Sequence, residues 1–171
     1  MPPEAASATR TGIGYDSHPF TDSGPMVLGG VTIEGSRGLA GHSDGDAIAH
    51  ALTDAVLGAA AEEDIGMLYP DSDPANRGRN SLEMLAEAVE RIRGRGWRIA
   101  NVDVVVITEE PRIAAHRARI RTGLAQALRV GEEAVSVKGK TNERMGWIGR
   151  GEGLACIAVA TLSALPPDSD A

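Results

Sequence analysis

The sequence predicts an α+β domain in which helices cover one face of a four-stranded mixed sheet, with a small β-hairpin attached. Three observations lead there. Apolar residues recur at intervals of three and four in three stretches, β-branched runs stand between those stretches, and Gly29-Gly30 separates two short apolar runs as a hairpin turn would. A length of 171 residues suits one domain with a sizeable core. Residues 1–10, rich in Ala, Pro and Ser, read as a flexible tail, 11–164 as the single folded domain, and 165–171 as a second tail.

The elements follow in order. Thr11 to Asp16 reads as the first strand, and Met26-Val27-Leu28 with Val31-Thr32-Ile33 as the two arms of the hairpin. The three glycines of Glu34 to Gly41 suggest a loop. Ser43 reads as the N-cap of a helix running to about Ala61, with Asp46 completing a capping box and many alanines permitting close approach by a neighbour. Prolines punctuate a turn-rich loop from Asp64 to Pro74. Asn80 and Glu83 open a second helix whose apolar stripe is Leu82, Leu85, Ala86, Val89 and Ile92, and Gly94 or Gly96 stops it. The β-branched run in Trp97 to Ile107 predicts a central strand buried on both faces. A third helix is expected over Ile113 to Arg129, its arginines mostly facing solvent. Val135 to Gly139 and Leu154 to Leu162 supply the remaining strands. Apolar strands with helices on one side only need a cover on the other, and a second subunit is the simplest one.

Composition narrows the function. A net charge of -7, with acidic and basic residues intermixed, leaves no basic patch for nucleic acid. The one cysteine, Cys156, sits in an apolar run, so no disulfide framework exists and a buried structural thiol is the expectation. No run reaches the length of a membrane span, and the first ten residues lack the apolar stretch of a signal peptide. A cytoplasmic protein with neither membrane nor nucleic-acid partner is expected.

The chemistry concentrates in Gly41-His42-Ser43-Asp44-Gly45-Asp46-Ala47-Ile48-Ala49-His50. His42 and the Ser43 hydroxyl stand at an expected helix start, where free N–H groups seat a phosphate. Asp46 and His50, four apart, share a helix face. Two readings stand side by side. Ser43 and Asp46 serve as caps and His50 as a core histidine, or all three belong to a site. Gly14-Tyr15-Asp16-Ser17-His18 favours the site, because Asp16 and His18, two apart on a strand, project the same way. An acid and an imidazole from a strand, with an imidazole from a helix, make three N/O ligands, the number that leaves catalytic zinc an open position. The carboxylates of Asp64 to Asp73 either solvate their loop or bind sugar hydroxyls.

Taken together, Ser43-Asp44-Gly45-Asp46 through Thr53-Asp54, Asp16-Ser17-His18, Asp64-Ile65-Gly66 and Gly149-Arg150-Gly151-Glu152-Gly153 resemble the 2-C-methyl-D-erythritol 2,4-cyclodiphosphate synthase family over about Arg10 to Ala164. The resemblance implies a homotrimer with its sheets facing the threefold axis and active sites between subunits. The activity it implies is cyclisation of 4-diphosphocytidyl-2-C-methyl-D-erythritol 2-phosphate with release of CMP, a lyase step of non-mevalonate isoprenoid synthesis. It assigns Asp16, His18 and His50 to zinc or another divalent transition metal, and Glu143 to magnesium or manganese. His42 and Ser43 fall at phosphate-contacting positions, Asp46 at erythritol hydroxyls, and Thr141 joins them as a catalytic candidate. Asp64, Gly66, Asp71 and Asp73 belong to substrate binding, with Thr108, Arg112, Ile113, Gly139 and Thr141 around cytidine. Tyr15, Trp147 and Arg150 match an axial cavity. The chain departs from the family pattern at Lys140, at Ile13 before Gly14, and in the aromatic types at 15 and 147.

The alternatives are a zinc-dependent phosphohydrolase acting on a nucleotide-linked substrate, with Asp46 or Asp54 as its base, and a metal-stapled binding module without turnover.

Overall fold

The computed structural model describes residues 8–70 and 72–166. In chain order the elements are β1 (Thr9–Thr21), β2 (Met26–Leu28), β3 (Val31–Ile33), β4 (Gly38–Leu39), α1 (Ala47–Ala59), α2 (Ile65–Leu68), α3 (Ser81–Arg93), β5 (Trp97–Ile107), α4 (Arg117–Leu128), β6 (Val135–Lys140), α5 (Gly146–Gly149) and β7 (Gly153–Ala164). The main sheet runs β4-β1-β7-β5-β6, with β5 and β6 parallel and the other neighbours antiparallel. It is thus mixed, as expected, but has five strands, because two residues of the expected Glu34–Gly41 loop pair with Phe20 and Thr21 at the edge. The tails expected over 1–10 and 165–171 fall largely outside the described residues, and β1 already begins at Thr9, paired with Ser163.

Alternation along the strands sends one set of side chains under the helices. Val102, Val104 and Val106 of β5, Val135 and Val137 of β6, and Leu154, Cys156, Ala158, Ala160 and Leu162 of β7 form the core with Ile48, Leu52 and Val56 of α1, Leu85 and Val89 of α3, and Ile120 and Leu124 of α4. Each large side chain so enclosed contributes about 1.5–3 kcal/mol relative to leaving it in water. The opposite face is open. Ile13 is 71% exposed and Tyr15 57%, and they pair across the ladder with Val159 and Ile157. The expectation that β5 is buried on both faces is therefore corrected within one chain: Asp103, Val105 and Ile107 are half-exposed.

The hairpin turn forms as expected, with Gly29 at φ 56° and Gly30 at φ 73°, the left-handed pair that a two-residue connection requires. Its position explains a second correction. α1 starts at Ala47, and its N-cap is Asp46 rather than Ser43. The Asp46 carboxylate accepts Ile48 and Ala49 N–H at 3.1 Å each, and Gly29 and Gly30 N–H at 2.8 and 2.7 Å. Four backbone donors outcompete the single hydroxyl of Ser43, and they close the helix start that was expected to seat a phosphate. Asn80 caps α3 as expected, through Leu82 and Glu83 N–H. The expected third helix divides into a 3-10 turn at Ile113–Ala115 and α4, which ends on Arg129 in the left-handed region.

Candidate active site

Strand β1 carries Asp16 and His18 on its helix-facing side, and α1 lays His50 over them. Asp16 Oδ2 lies 2.8 Å from His18 Nε2 and 3.3 Å from His50 Nδ1, and the two nitrogens are 3.4 Å apart. One carboxylate oxygen and two ring nitrogens therefore converge on one point, the only such cluster of three metal-ligating side chains among the described residues. The outer edges of both rings are held. His18 Nδ1 is 2.7 Å from the Ala40 carbonyl, which only accepts, so Nδ1 carries the proton and Nε2 keeps its lone pair. His50 Nε2 meets the hydroxyls of Ser43 at 3.0 Å and Ser81 at 2.9 Å. Asp16 Oδ2 is buried without a hydrogen-bond partner. Such an orphaned anion between two imidazoles fits a divalent cation.

The electrostatics agree. Burial alone would raise the Asp16 carboxyl, but the adjacent imidazoles of His18 and His50 outweigh it and hold it below the usual aspartate value. Burial would likewise lower His18, yet the Asp16 carboxylate beside Nε2 and the Ala40 carbonyl at Nδ1 together outweigh it and raise the imidazole.

These three residues line a cleft of about 600 Å³ together with Gly41, His42, Ser43, Ile65, Gly66, Tyr69, Asn76 and Met84. His42, Ser43 and Gly66 thus share one cleft with the cluster. Asp46 does not: it is wholly buried as the helix cap, its carboxylate taken up by four backbone amides. Asp64 caps α2 by accepting Met67 N–H at 2.9 Å. Asp73 caps a 3-10 turn and borders an adjoining hollow with His42, whereas Asp71 lies outside the described residues.

A second cleft, of about 210 Å³, gathers Thr108, Arg112, Ile113, Gly139 and Thr141, the whole expected cytidine set, with Lys140 beside them. Glu143 stands near it, exposed, accepting the Thr141 hydroxyl at 3.0 Å, so it is not part of the Asp16 cluster in one chain. Glu109 fixes this loop by accepting Asn142 and Arg144 N–H at 3.0 and 3.1 Å. The register sets the distance between the clefts. Asp16, Cys156, Val106 and Gly139 form one row across four strands, three strand spacings or roughly 14 Å, with buried core between. Of the expected axial residues, Tyr15 lies on the open sheet face, Trp147 is 37% exposed, and Arg150 pairs with Glu152 at 2.5 Å.

Several residues of the site had no signal in the sequence. Ser81 looked like any first residue of a helix, Ala40 contributes only a carbonyl, and Tyr69 and Glu109 lie in loops without a recognisable spacing.

The model of the YgbB family matches residues 9–163, spanning both clefts and every strand but the last residue of β7. The chain belongs to the YgbB family. Among relatives similar to this YgbB chain, the 2-C-methyl-D-erythritol 2,4-cyclodiphosphate synthase of Gemmatimonas aurantiaca is 58% identical over 156 residues, 91% of this chain and 94% of that one. The synthase of the same name from Cronobacter sakazakii is 50% identical over 153 residues, 90% of this chain and 96% of that one. In three dimensions the chain is similar to IspF of Plasmodium falciparum in a CDP complex, with a TM-score of 0.82 at 35% identity, over 92% of this chain and 97% of that one. It also matches the bifunctional IspDF of Campylobacter jejuni with a TM-score of 0.90 at 39% identity. That match covers 94% of this chain but 43% of the longer one, so the YgbB fold corresponds to one part of it.

Proposed function

We propose that the chain cyclises 4-diphosphocytidyl-2-C-methyl-D-erythritol 2-phosphate to 2-C-methyl-D-erythritol 2,4-cyclodiphosphate with release of CMP, a lyase reaction of isoprenoid synthesis. The convergence of Asp16, His18 and His50 in a cleft also lined by Ser43 and His42 is the observation that carries this reading. Membership of the YgbB family and relatives bearing the synthase name support it.

The reaction needs no nucleophile from the protein. An oxygen of the substrate's 2-phosphate bonds to the β-phosphorus, and the bond from that phosphorus to the oxygen shared with the α-phosphorus breaks, its electron pair leaving with CMP. Rate then comes from alignment and from neutralising charge on phosphoryl oxygens. His42 and the Ser43 hydroxyl hold the phosphate beside the cluster, while Asp64 and the backbone at Gly66 orient hydroxyls of the erythritol end or the ribose. Asp73 follows in the proline-punctuated loop, which excludes water when substrate is bound. Thr108, Arg112, Ile113 and Gly139 hold the cytidine, and the Thr141 hydroxyl reaches toward the transferred phosphoryl group.

Two nitrogens and one oxygen from protein suit zinc or a similar transition ion with room for a phosphate oxygen, and one carboxylate with a hydroxyl beside it at Glu143 suits magnesium or manganese. Such ions, when bound, supply Lewis acidity to the diphosphate.

A single chain keeps the cytidine cleft and the metal cluster apart, with core in between. A substrate reaches both when a second copy brings its own cleft alongside. The open, apolar sheet face supports a homotrimer closed on that face, with Tyr15, Trp147 and Arg150 toward its axis. No helix among the described residues is long and apolar enough to cross a membrane. The single buried Cys156, raised far above an ordinary thiol by its burial, suits a reducing cytoplasm.

Incubation with the cytidine substrate and divalent ions tests the reading. Cyclic diphosphate and CMP in equal amounts are expected. Open-chain phosphates with CMP would instead indicate attack by water.

A further inference from the structure

Ser81 opens α3 with no accessible surface, and its hydroxyl meets three groups: Asp44 Oδ1 at 2.5 Å, His50 Nε2 at 2.9 Å and, more distantly, Ser43 Oγ at 3.3 Å. The protons in this cluster can be assigned. An ionised carboxylate only accepts, so the contact between Ser81 and Asp44 uses the hydroxyl proton of Ser81. Asp44 is itself fixed, because Oδ2 accepts the Ser81 amide at 3.1 Å and Oδ1 the Asp46 amide at 3.2 Å. With its one proton spent, Ser81 meets His50 Nε2 as an acceptor, and Nε2 must therefore carry the ring proton. The lone pair left on Nδ1 points toward Asp16 Oδ2 and His18 Nε2, 3.3 and 3.4 Å away.

We infer that Asp44 and Ser81 are positioning residues that fix the His50 tautomer and ring plane for ligation through Nδ1. With Nε2 as the donor, Ser43 Oγ, 3.0 Å away, also meets it as an acceptor, which leaves the Ser43 hydroxyl proton to donate to an anionic group in the cleft. His18 reaches the same state through a backbone carbonyl, which no substitution can remove, whereas the His50 arrangement is made by side chains and can be taken apart. This inference rests on the metal-site reading above, so the test measures the two separately.

Metal-stripped protein is titrated with Co2+ by calorimetry against a competing chelator, and the visible spectrum of the bound ion is recorded. Wild type is expected to take up one ion per cluster. Ser81→Ala is expected to bind about tenfold more weakly or worse, with a shifted spectrum, as loss of a ligand's outer hydrogen bond does. Asp44→Asn should bind at least as weakly, because its amide offers a donor where the carboxylate only accepted and can turn the Ser81 proton toward Nε2. Asn80→Ala removes the cap of the same helix without touching the relay, and should lower Tm while leaving affinity and spectrum unchanged. If wild type takes up no Co2+, the metal-site reading fails. If wild type binds and both relay variants match it in affinity and spectrum, the positioning role is refuted with the site intact.

Discussion

Gly14 lies directly against the Ala51 carbonyl: a Cβ added to Gly14 would stand 1.9 Å from that oxygen and 2.8 Å from Ala55 N. Gly12 meets Ala55 and Ala59 in the same way. Two successive helix-facing positions of β1 thus carry no side chain, and α1 settles onto the strand at backbone distance. His50, one residue before Ala51, consequently lands over Asp16, two residues after Gly14. Gly14→Ala is expected to push the helix off the strand, costing at least the 1–3 kcal/mol or so of ordinary overpacking because backbone rather than a flexible side chain must yield. Thermal denaturation and metal uptake measured on the same sample should both fall. A variant with wild-type Tm and metal content would show that the approach does not set the site.

Asp16→Ala and His50→Ala each take one member out of the proposed metal cluster while leaving the sheet and α1 otherwise packed. Turnover should drop by more than about a hundredfold in each, with the circular dichroism of the parent retained. Near-normal turnover in either variant would remove that residue from the ligand set.

The separation of the two clefts predicts complementation. Asp16→Ala and Thr141→Ala, each nearly inactive alone, are expected to regain a measurable fraction of activity when co-expressed with different tags and purified as mixed assemblies. Some interfaces would then pair an intact cluster with an intact cytidine cleft. No recovery in verified mixed assemblies would mean that one chain builds its own complete site.

Tyr69, on the wall of the cleft that holds Asp16, His18 and His50, donates to Glu87 at 2.8 Å and lies under the Arg79 guanidinium, which also pairs with Glu87. Burial, with Glu87 adding to it, pushes the phenol up to about 12 from an ordinary 10.0. Because the folded value is raised, this contribution to stability is fully present below pH 10 and is lost as pH rises toward 12. Alkaline titration of tyrosinate absorbance should place Tyr69 near that value in the native protein, and Glu87→Gln should lower it. An unchanged titration in Glu87→Gln would show that the pair does not hold the cleft wall.

What could be read from the sequence divides along physical lines. Local patterns were readable: the Gly29-Gly30 turn, the Asn80 cap, the β-branched core of β5, and the shared facing of Asp16 and His18 each depend on residues close in the chain. Competition between distant groups was not. Ser43 and Asp46 both suit an N-cap, and what decides between them is the hairpin, seventeen residues upstream, whose glycine amides draw Asp46 inward. The edge strand β4 is equally unreadable, since two residues carry no periodicity and pair only because β1 runs on to Thr21. Ser81 belongs to the same class, its role set by Asp44 and His50 more than thirty residues away.

The most direct measurement is the anomalous scattering of a crystal grown with zinc and recorded at the zinc absorption edge. One strong peak within about 2.0–2.2 Å of Asp16 Oδ2, His18 Nε2 and His50 Nδ1 is expected. A crystal of the same protein with no peak at that point, or with its zinc bound elsewhere, would contradict the metal-centred reading of the cleft.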